Sequence, residues 1–310
     1  MRFLSVGAGA LGGYFGAKLI QGGAEVEFLV RPGRAAQLAA HGVVIKEGET
    51  ETRTPAKGIS KEQISGVYDV VLLACKAYDL DEAIDAVTPA VGSGTAIFPV
   101  LNGVKHIDIL TSRFGEERIL AGLTLEHGAL KSDGVIVRSP LSARHAVTTL
   151  GELHGPLSDR CRAMQHAMEA GGMKVVPSDA GLAAMWGKFP GFASATTIAT
   201  LCGSRAGAIA ASSSGGEVVD LVLAECGRVA AAEGYPMPDA TVDLVKTLFS
   251  DPASGYGPSM FEDLENNRRT EGEHVIGDMA DRGARHAIPV PLLTAARCAH
   301  QAHEINRLKM

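Results

Sequence analysis

At 310 residues the chain is longer than a single core usually organises, so two domains of about 100–200 residues each are expected. An apolar share of 46% beside 21% charged residues excludes a disordered or collagen-like chain, and a net charge of -6 leaves no basic footprint for a phosphate backbone. Nucleic acid is therefore not an expected partner.

Met1 runs straight into a strand-like segment whose following glycines interrupt any apolar run. Neither a secretory signal nor a membrane span of about 20 residues is expected there, and the cytoplasm is the expected location. Residues 2–6 form a short apolar run closed by glycines, residues 25–30 form a second, and a stretch of helical length lies between them. Later runs at 69–74, 96–101 and 119–125 read as buried strands separated by crossover-length connections. That alternation predicts an α/β domain built on a Rossmann-type, doubly wound parallel sheet. Residues 134–137 and 146–150 are further candidate strands, expected to extend the same sheet.

After about residue 178 the strand signals stop, and Ala/Leu/Met/Val-rich segments with helical spacing occupy 180–211, 217–233 and 241–249. The breakers of 251–258 precede Ser259-x-x-Glu262, a capping-box pattern that opens another helix, and Pro289 and Pro291 precede a last helix from about Leu292. The expected organisation is a Rossmann domain over 1–175 and an all-α domain over 176–310.

Cys75, Cys161, Cys202, Cys226 and Cys298 are scattered without a Cys-x-x-Cys pair, which reads as reduced thiols and not as a disulfide framework. Cys298, His300 and His303 come nearest to a metal cluster. The two histidines can share a helix face but Cys298 lies off it, so a solvated terminal helix and no metal are expected.

Gly7-Ala8-Gly9-Ala10-Leu11-Gly12 is a Gly-x-Gly-x-x-Gly between a strand and a helix. Such glycines make a tight turn and let a pyrophosphate approach the helix N-terminus, so Gly7, Gly9, Ala10, Leu11 and Gly12 are the expected dinucleotide contacts. The second strand ends in Arg31, where an NAD enzyme usually places a carboxylate for the ribose 2′-hydroxyl. Arg31, with Arg34 as a second cation, suits a 2′-phosphate and points to NADP(H), and Glu27 lies within the strand instead of at its tip. A solvated arginine beside Pro32 and Gly33 is the alternative.

With these features and four further landmarks, the chain resembles the ketopantoate reductase (2-dehydropantoate 2-reductase) family over nearly its whole length. The landmarks are Leu73-Ala74-Cys75-Lys76-Ala77, Leu101-Asn102-Gly103-Val104, Trp186-Gly187-Lys188, and Ser259-Met260 with Arg268-Arg269-Thr270-Glu271. The resemblance implies that Lys76 reaches the cofactor and that Asn102 stands beside both nicotinamide and substrate. It implies that Lys188 is the general acid in reduction and the base in the reverse, and that Ser259 and Glu271 bind substrate, Glu271 also joining the polar network near the lysine. Reducing a 2-oxo acid puts negative charge on its carbonyl oxygen, which calls for a proton or a cation such as Lys188 supplies. Each residue also has a plainer reading: Lys188 as a snorkelling surface lysine, Lys76 as a solvated one, Asn102 as part of an Asn-Gly turn, Ser259 as a cap for its helix, and Glu271 as a solvated carboxylate paired with Arg268.

One departure stands out. Pantothenate-pathway members carry asparagines four and eight residues after the lysine, where this chain has Phe192 and Thr196, and Pro190 and Gly191 are expected to kink the helix beside Lys188. The expected activity is NADPH-dependent reduction of a small-molecule 2-oxo acid, ketopantoate to (R)-pantoate first, with no membrane partner and a homodimer left open. The rivals are another 2-oxo or β-hydroxy acid as substrate, or a non-catalytic NADP(H)-binding sensor.

Overall fold

In the computed structural model, which describes residues 1–140, 142 and 146–309, the chain divides into two compact units. One comprises Met1–Leu101 with His106–Ala184, the other Asn102–Lys105 with Met185–Met310. The first unit is built on β1 (Arg2–Val6), β2 (Glu25–Leu29), β5 (Lys57–Ile59), β6 (Val70–Leu73) and β7 (Ala96–Pro99), a wholly parallel sheet in the order β5-β2-β1-β6-β7. β6 and β7 are apolar throughout and fully buried, the sign of strands covered on both faces. Val6 pairs with both Leu29 and Leu73, so β1, β2 and β6 end together at one edge of the sheet. That edge, where the strand order reverses at β1, is where ligands bind in doubly wound folds.

Beyond this sheet the strands depart from expectation. β8 (Leu120–Thr124) follows the isolated parallel bridge Ile97–Ile119 and, instead of pairing with β7, pairs antiparallel with β11 (Thr148–Glu152), which pairs in turn with β12 (Val175–Pro177). β10 (Val135–Arg138) lies in a separate four-stranded sheet, where it pairs with β3 (Val43–Glu47) and β9 (Gly128–Leu130), and β3 pairs with β4 (Thr50–Thr54) on its other side. The later strands therefore build two small sheets instead of extending the first. β4 carries no strong sequence signal, because Thr50-Glu51-Thr52-Arg53 is exposed along its whole length and needs no apolar alternation, whereas β3 has the buried β-branched run Val43-Val44-Ile45 as its signal.

Among the described residues the second unit holds helices and no strand. Its longest helix, Gly181–Cys202, begins in the first unit and continues through Pro190 without a break. Pro190 removes one helical amide, but the Ser194 hydroxyl donates to the Pro190 carbonyl (2.8 Å) and the Thr196 hydroxyl to the Phe192 carbonyl (2.9 Å), back-bonding that accompanies gentle bending. Gly191 meets the helix Asp239–Leu248 so closely that a Cβ there would lie 2.5 Å from the Thr241 methyl carbon. The Thr241 hydroxyl donates to the Gly187 carbonyl at 2.8 Å, so the turn bearing Lys188 is pinned from that side. The last helix, Pro291–Arg307, starts on a buried carboxylate: Glu225 accepts from the Leu293 amide at 2.8 Å and the Leu292 amide at 3.3 Å, a negative charge at the positive end of a helix.

Candidate functional site

Within the first unit the glycine turn has the geometry its sequence requires. Gly7 takes a φ of +92°, a left-handed value that favours glycine, and its amide donates to the Leu29 carbonyl at 3.0 Å. A Cβ at Gly12 would come within 2.2 Å of the Gly7 carbonyl oxygen, so the third glycine closes the turn onto the first. At Gly9 the added Cβ would meet nothing within 4 Å, and this glycine caps the helix Ala10–Gln21. The open space before those helix amides is what a pyrophosphate needs, so the residues present fit a dinucleotide. The Ser5 hydroxyl bonds the carbonyls of Gly7 (3.1 Å) and Gly12 (3.3 Å) and stiffens the loop.

Arg31 follows β2 with a 77% exposed side chain, its guanidinium 3.7 Å from Asp79 and 3.7 Å from Glu82. Arg34 has a different job from the second cation expected of it. Its Nε donates to the Ala8 carbonyl at 3.0 Å and its Nη1 to the Gly134 carbonyl at 3.0 Å, so it braces the glycine turn from behind. Glu27 is likewise structural, accepting from Arg2, Lys57 and Tyr68. Lys76 is exposed, three residues past β6, where its carbonyl starts a short 3₁₀ turn.

In the second unit the Asn-Gly turn and the lysine come together. Gly103 takes a φ of +81°, and the Lys188 ammonium lies 3.4 Å from the Asn102 side-chain oxygen as donor. Lys188 keeps some accessible surface, yet desolvation of its ammonium lowers its pKa from 10.5 to about 8. The Phe192 ring, one turn on, has its centroid 5.6 Å from the ammonium, while Thr196 is fully buried with its hydroxyl spent on its own helix. The lysine's face thus offers a ring where an amide was the alternative.

Trp186 anchors this turn. It stacks on Tyr235 with centroids 5.4 Å apart, and the Arg282 guanidinium carbon lies 5.2 Å from its ring centre. Arg282 is held by Asp278 at 2.9 Å and Glu233 at 2.5 Å. Burial opposes the charge of Glu233, but the hydrogen bond and charge of Arg282, with a hydrogen bond from His286 and the charge of Arg285, together outweigh it and keep its carboxyl below the usual range. Arg282→Ala should destabilise the protein by about 3–5 kcal/mol, because it removes the guanidinium that balances the buried Asp278 carboxylate, while the half-buried Glu233 keeps His286 at 2.9 Å. Urea unfolding of the intact chain measures this, and an unchanged midpoint would show the network to be dispensable.

Glu271 is 5% exposed, which replaces the solvated carboxylate with a buried one, and Arg268 pairs with Asp263 at 3.5 Å. Its carbonyl accepts from the amides of His274 and Val275 at the start of a π-helical turn, Glu273–Gly277. Such turns recur at functional sites. Ser259 is the first residue of the helix Ser259–Glu265, whose cap is Pro258 without any side-chain bond, so the capping box does not form. Glu262 lies 3.8 Å from Arg205.

Two histidines escaped the sequence reasoning as parts of this region. A Cβ at Gly103 would lie 3.7 Å from the ring of His274 and 3.6 Å from that of Phe189, and desolvation, with Lys105 adding to it, takes the His274 pKa down to about 4. His300 is not on a solvated face but 2% exposed, bonded to two threonines. Histidine next to a signature segment was the available signal, and only burial gives it meaning. Among the described residues no group of three His, Cys, Asp or Glu side chains could hold a metal ion, and no helix is long and apolar enough to cross a membrane.

Comparison with known proteins covers both units. The family model described as Ketopantoate reductase PanE/ApbA matches residues 3–155, and that for the Ketopantoate reductase PanE/ApbA C terminal matches residues 182–301. The chain is 32% identical to the uncharacterized oxidoreductase YkpB of Bacillus subtilis over 99% of its own length and 100% of the relative's. It is 25% identical to 2-dehydropantoate 2-reductase of Mesorhizobium japonicum over 95% of each chain. Its fold matches the ternary structure of D-mandelate dehydrogenase with NADH and anilino(oxo)acetate at a TM-score of 0.86 and 21% identity, covering 99% of this chain and 100% of that one.

Proposed function

The chain belongs to the ketopantoate reductase family, and on that premise we propose that it is a cytoplasmic enzyme that reduces a 2-oxo acid with NADPH, 2-dehydropantoate being the first substrate to test and (R)-pantoate its product. The observation that carries this reading is the Lys188 ammonium, desolvated and lodged beside the Asn102 oxygen. The cofactor, when bound, supplies the hydride that reaches C2 of the substrate. Lys188 holds a proton at Nζ and delivers it to the carbonyl oxygen as negative charge develops there. Asn102 orients that ammonium and faces both substrate and nicotinamide. Glu271 and Ser259 bind the substrate. Gly7, Gly9, Ala10, Leu11 and Gly12 receive the pyrophosphate at the helix N-terminus, Lys76 reaches the cofactor, and Arg31 takes the 2′-phosphate.

The test is loss of reduced-nicotinamide absorbance against a panel of 2-oxo acids. Aryl members belong in it, because the mandelate dehydrogenase of the same fold was solved with anilino(oxo)acetate. Substrate-independent binding of NADPH, with no turnover of any member, would favour the sensor instead. Cofactor choice has its own test. Each charge-assisted bond from Arg31 is worth about 1.5–3 kcal/mol before solvent screening, so Arg31→Asp should lower the NADPH-over-NADH preference by about 10- to 100-fold. Equal kcat/KM for both cofactors in the unmodified protein would remove Arg31 from the assignment.

A further inference from the structure

Residues 268–271 belong to no helix or strand, and side-chain contacts from a neighbouring helix add to the backbone bonds that the Glu271 carbonyl accepts from His274 and Val275. Those contacts come from one face of the helix Pro291–Arg307, at the three- and four-residue spacing of a helix surface. Arg297 and Gln301 hold Glu273, Glu304 accepts from the Thr270 amide at 2.8 Å, and the His303 ring meets the Arg268 carbonyl at 2.8 Å. His300 is the buried member of that face. One ring nitrogen lies 3.0 Å from the Thr270 hydroxyl, and the other lies 3.1 Å from the hydroxyl of Thr200, on the helix that carries Lys188. The backbone of Gly272 is packed directly on the imidazole, since a Cβ there would fall 2.6 Å from the His300 Cβ and Cγ. A neutral imidazole donates through one nitrogen and accepts through the other, so the row Thr200, His300, Thr270 satisfies every ring atom that can bond.

We propose that His300 is a positioning residue, which fixes Glu271 relative to the lysine-bearing helix by clasping Thr270 on one side of it and Gly272 on the other. The proposal rests on the reading of Glu271 as a substrate-binding group. His300 touches neither substrate nor cofactor in this role. It sets the register of the chain on either side of a residue that does.

The variants are His300→Phe, which keeps a ring and loses both bonds, His300→Asn, which returns a polar group near the Nδ1 position, and Thr270→Val, which removes one bond without disturbing the core around the ring. Amide hydrogen exchange on the intact protein is expected to quicken about tenfold over 270–277 in His300→Phe and Thr270→Val, and to recover in part in His300→Asn. With the best 2-oxo acid, His300→Phe should raise KM about tenfold, change kcat only a few-fold, and leave NADPH binding measured by fluorescence unaltered. In a Glu271→Gln background it should add nothing further, because both changes act on one contact. Effects that simply add, or exchange and KM that stay as in the unmodified protein, overturn the proposal. If no 2-oxo acid is turned over, the functional reading fails while the exchange measurement still decides whether His300 holds this segment.

Discussion

Lys188→Ala is expected to lower kcat for 2-oxo acid reduction by about 10²–10⁴-fold, the range for losing a general acid, with NADPH affinity changed only a few-fold. The asymmetry follows from where the side chain acts. Lys188 meets charge that exists only as the carbonyl oxygen is reduced, whereas the groups that fit the cofactor's phosphates belong to the first unit. The pH profile supplies a second, independent signature. Desolvation takes the Lys188 pKa from 10.5 down to about 8, so the proton needed for reduction is present below that value and lost as pH rises through it. kcat/KM for reduction should therefore fall above about pH 8, and that for oxidation of the alcohol should rise over the same interval, since the neutral amine is then the base. In Lys188→Ala both limbs should vanish. Retention of turnover within a few-fold, or of an unchanged pH profile, would falsify the role assigned to this lysine.

The second large effect expected is in substrate choice. A site that bonds a substrate hydroxyl rejects the analogue lacking it by about 10⁴–10⁵, because its polar groups are left unpaired. On the lysine's helix face this chain presents the Phe192 ring beside the ammonium and a Thr196 hydroxyl that donates to the Phe192 carbonyl. Neither presents the donor and acceptor that an asparagine amide brings to the 4-hydroxyl of ketopantoate. The ratio of kcat/KM for ketopantoate to that for its 4-deoxy analogue should accordingly lie within about tenfold of unity, with apolar or aryl 2-oxo acids reduced as well or better. Phe192→Asn combined with Thr196→Asn should move the ratio towards ketopantoate. A strong preference for ketopantoate in the unmodified protein would reverse this expectation and make the plain family substrate the right one.

Much of this protein could be read from local patterns. The glycine turn between β1 and its helix follows from its motif, the parallel strands at 2–6, 25–29, 70–73 and 96–99 from short apolar runs, and the helical second half from helical spacing. Asn102 and Lys188 were legible as separate motif residues, and their meeting at 3.4 Å is a product of the packed chain. Pairing partners were not legible. Residues 119–125, 134–137 and 146–150 have strand-like composition whichever sheet they join, and only the cross-strand partners sent β8 to β11 and β10 to β3.

By itself, then, the sequence determined the class of fold and the position of the glycine turn between the first strand and its helix, because each depends on neighbours within one turn or one strand. Tertiary structure alone decided that Arg34 braces the glycine turn, that Ser259 begins its helix without capping it, and that the Glu271 segment lies on a buried His300. It also decided that Lys188 is desolvated enough to titrate near neutrality. Burial, and bonds between residues as far apart as Thr200 and His300, are properties of the packed chain, and no local pattern encodes the dielectric around an ammonium or the far partner of an imidazole.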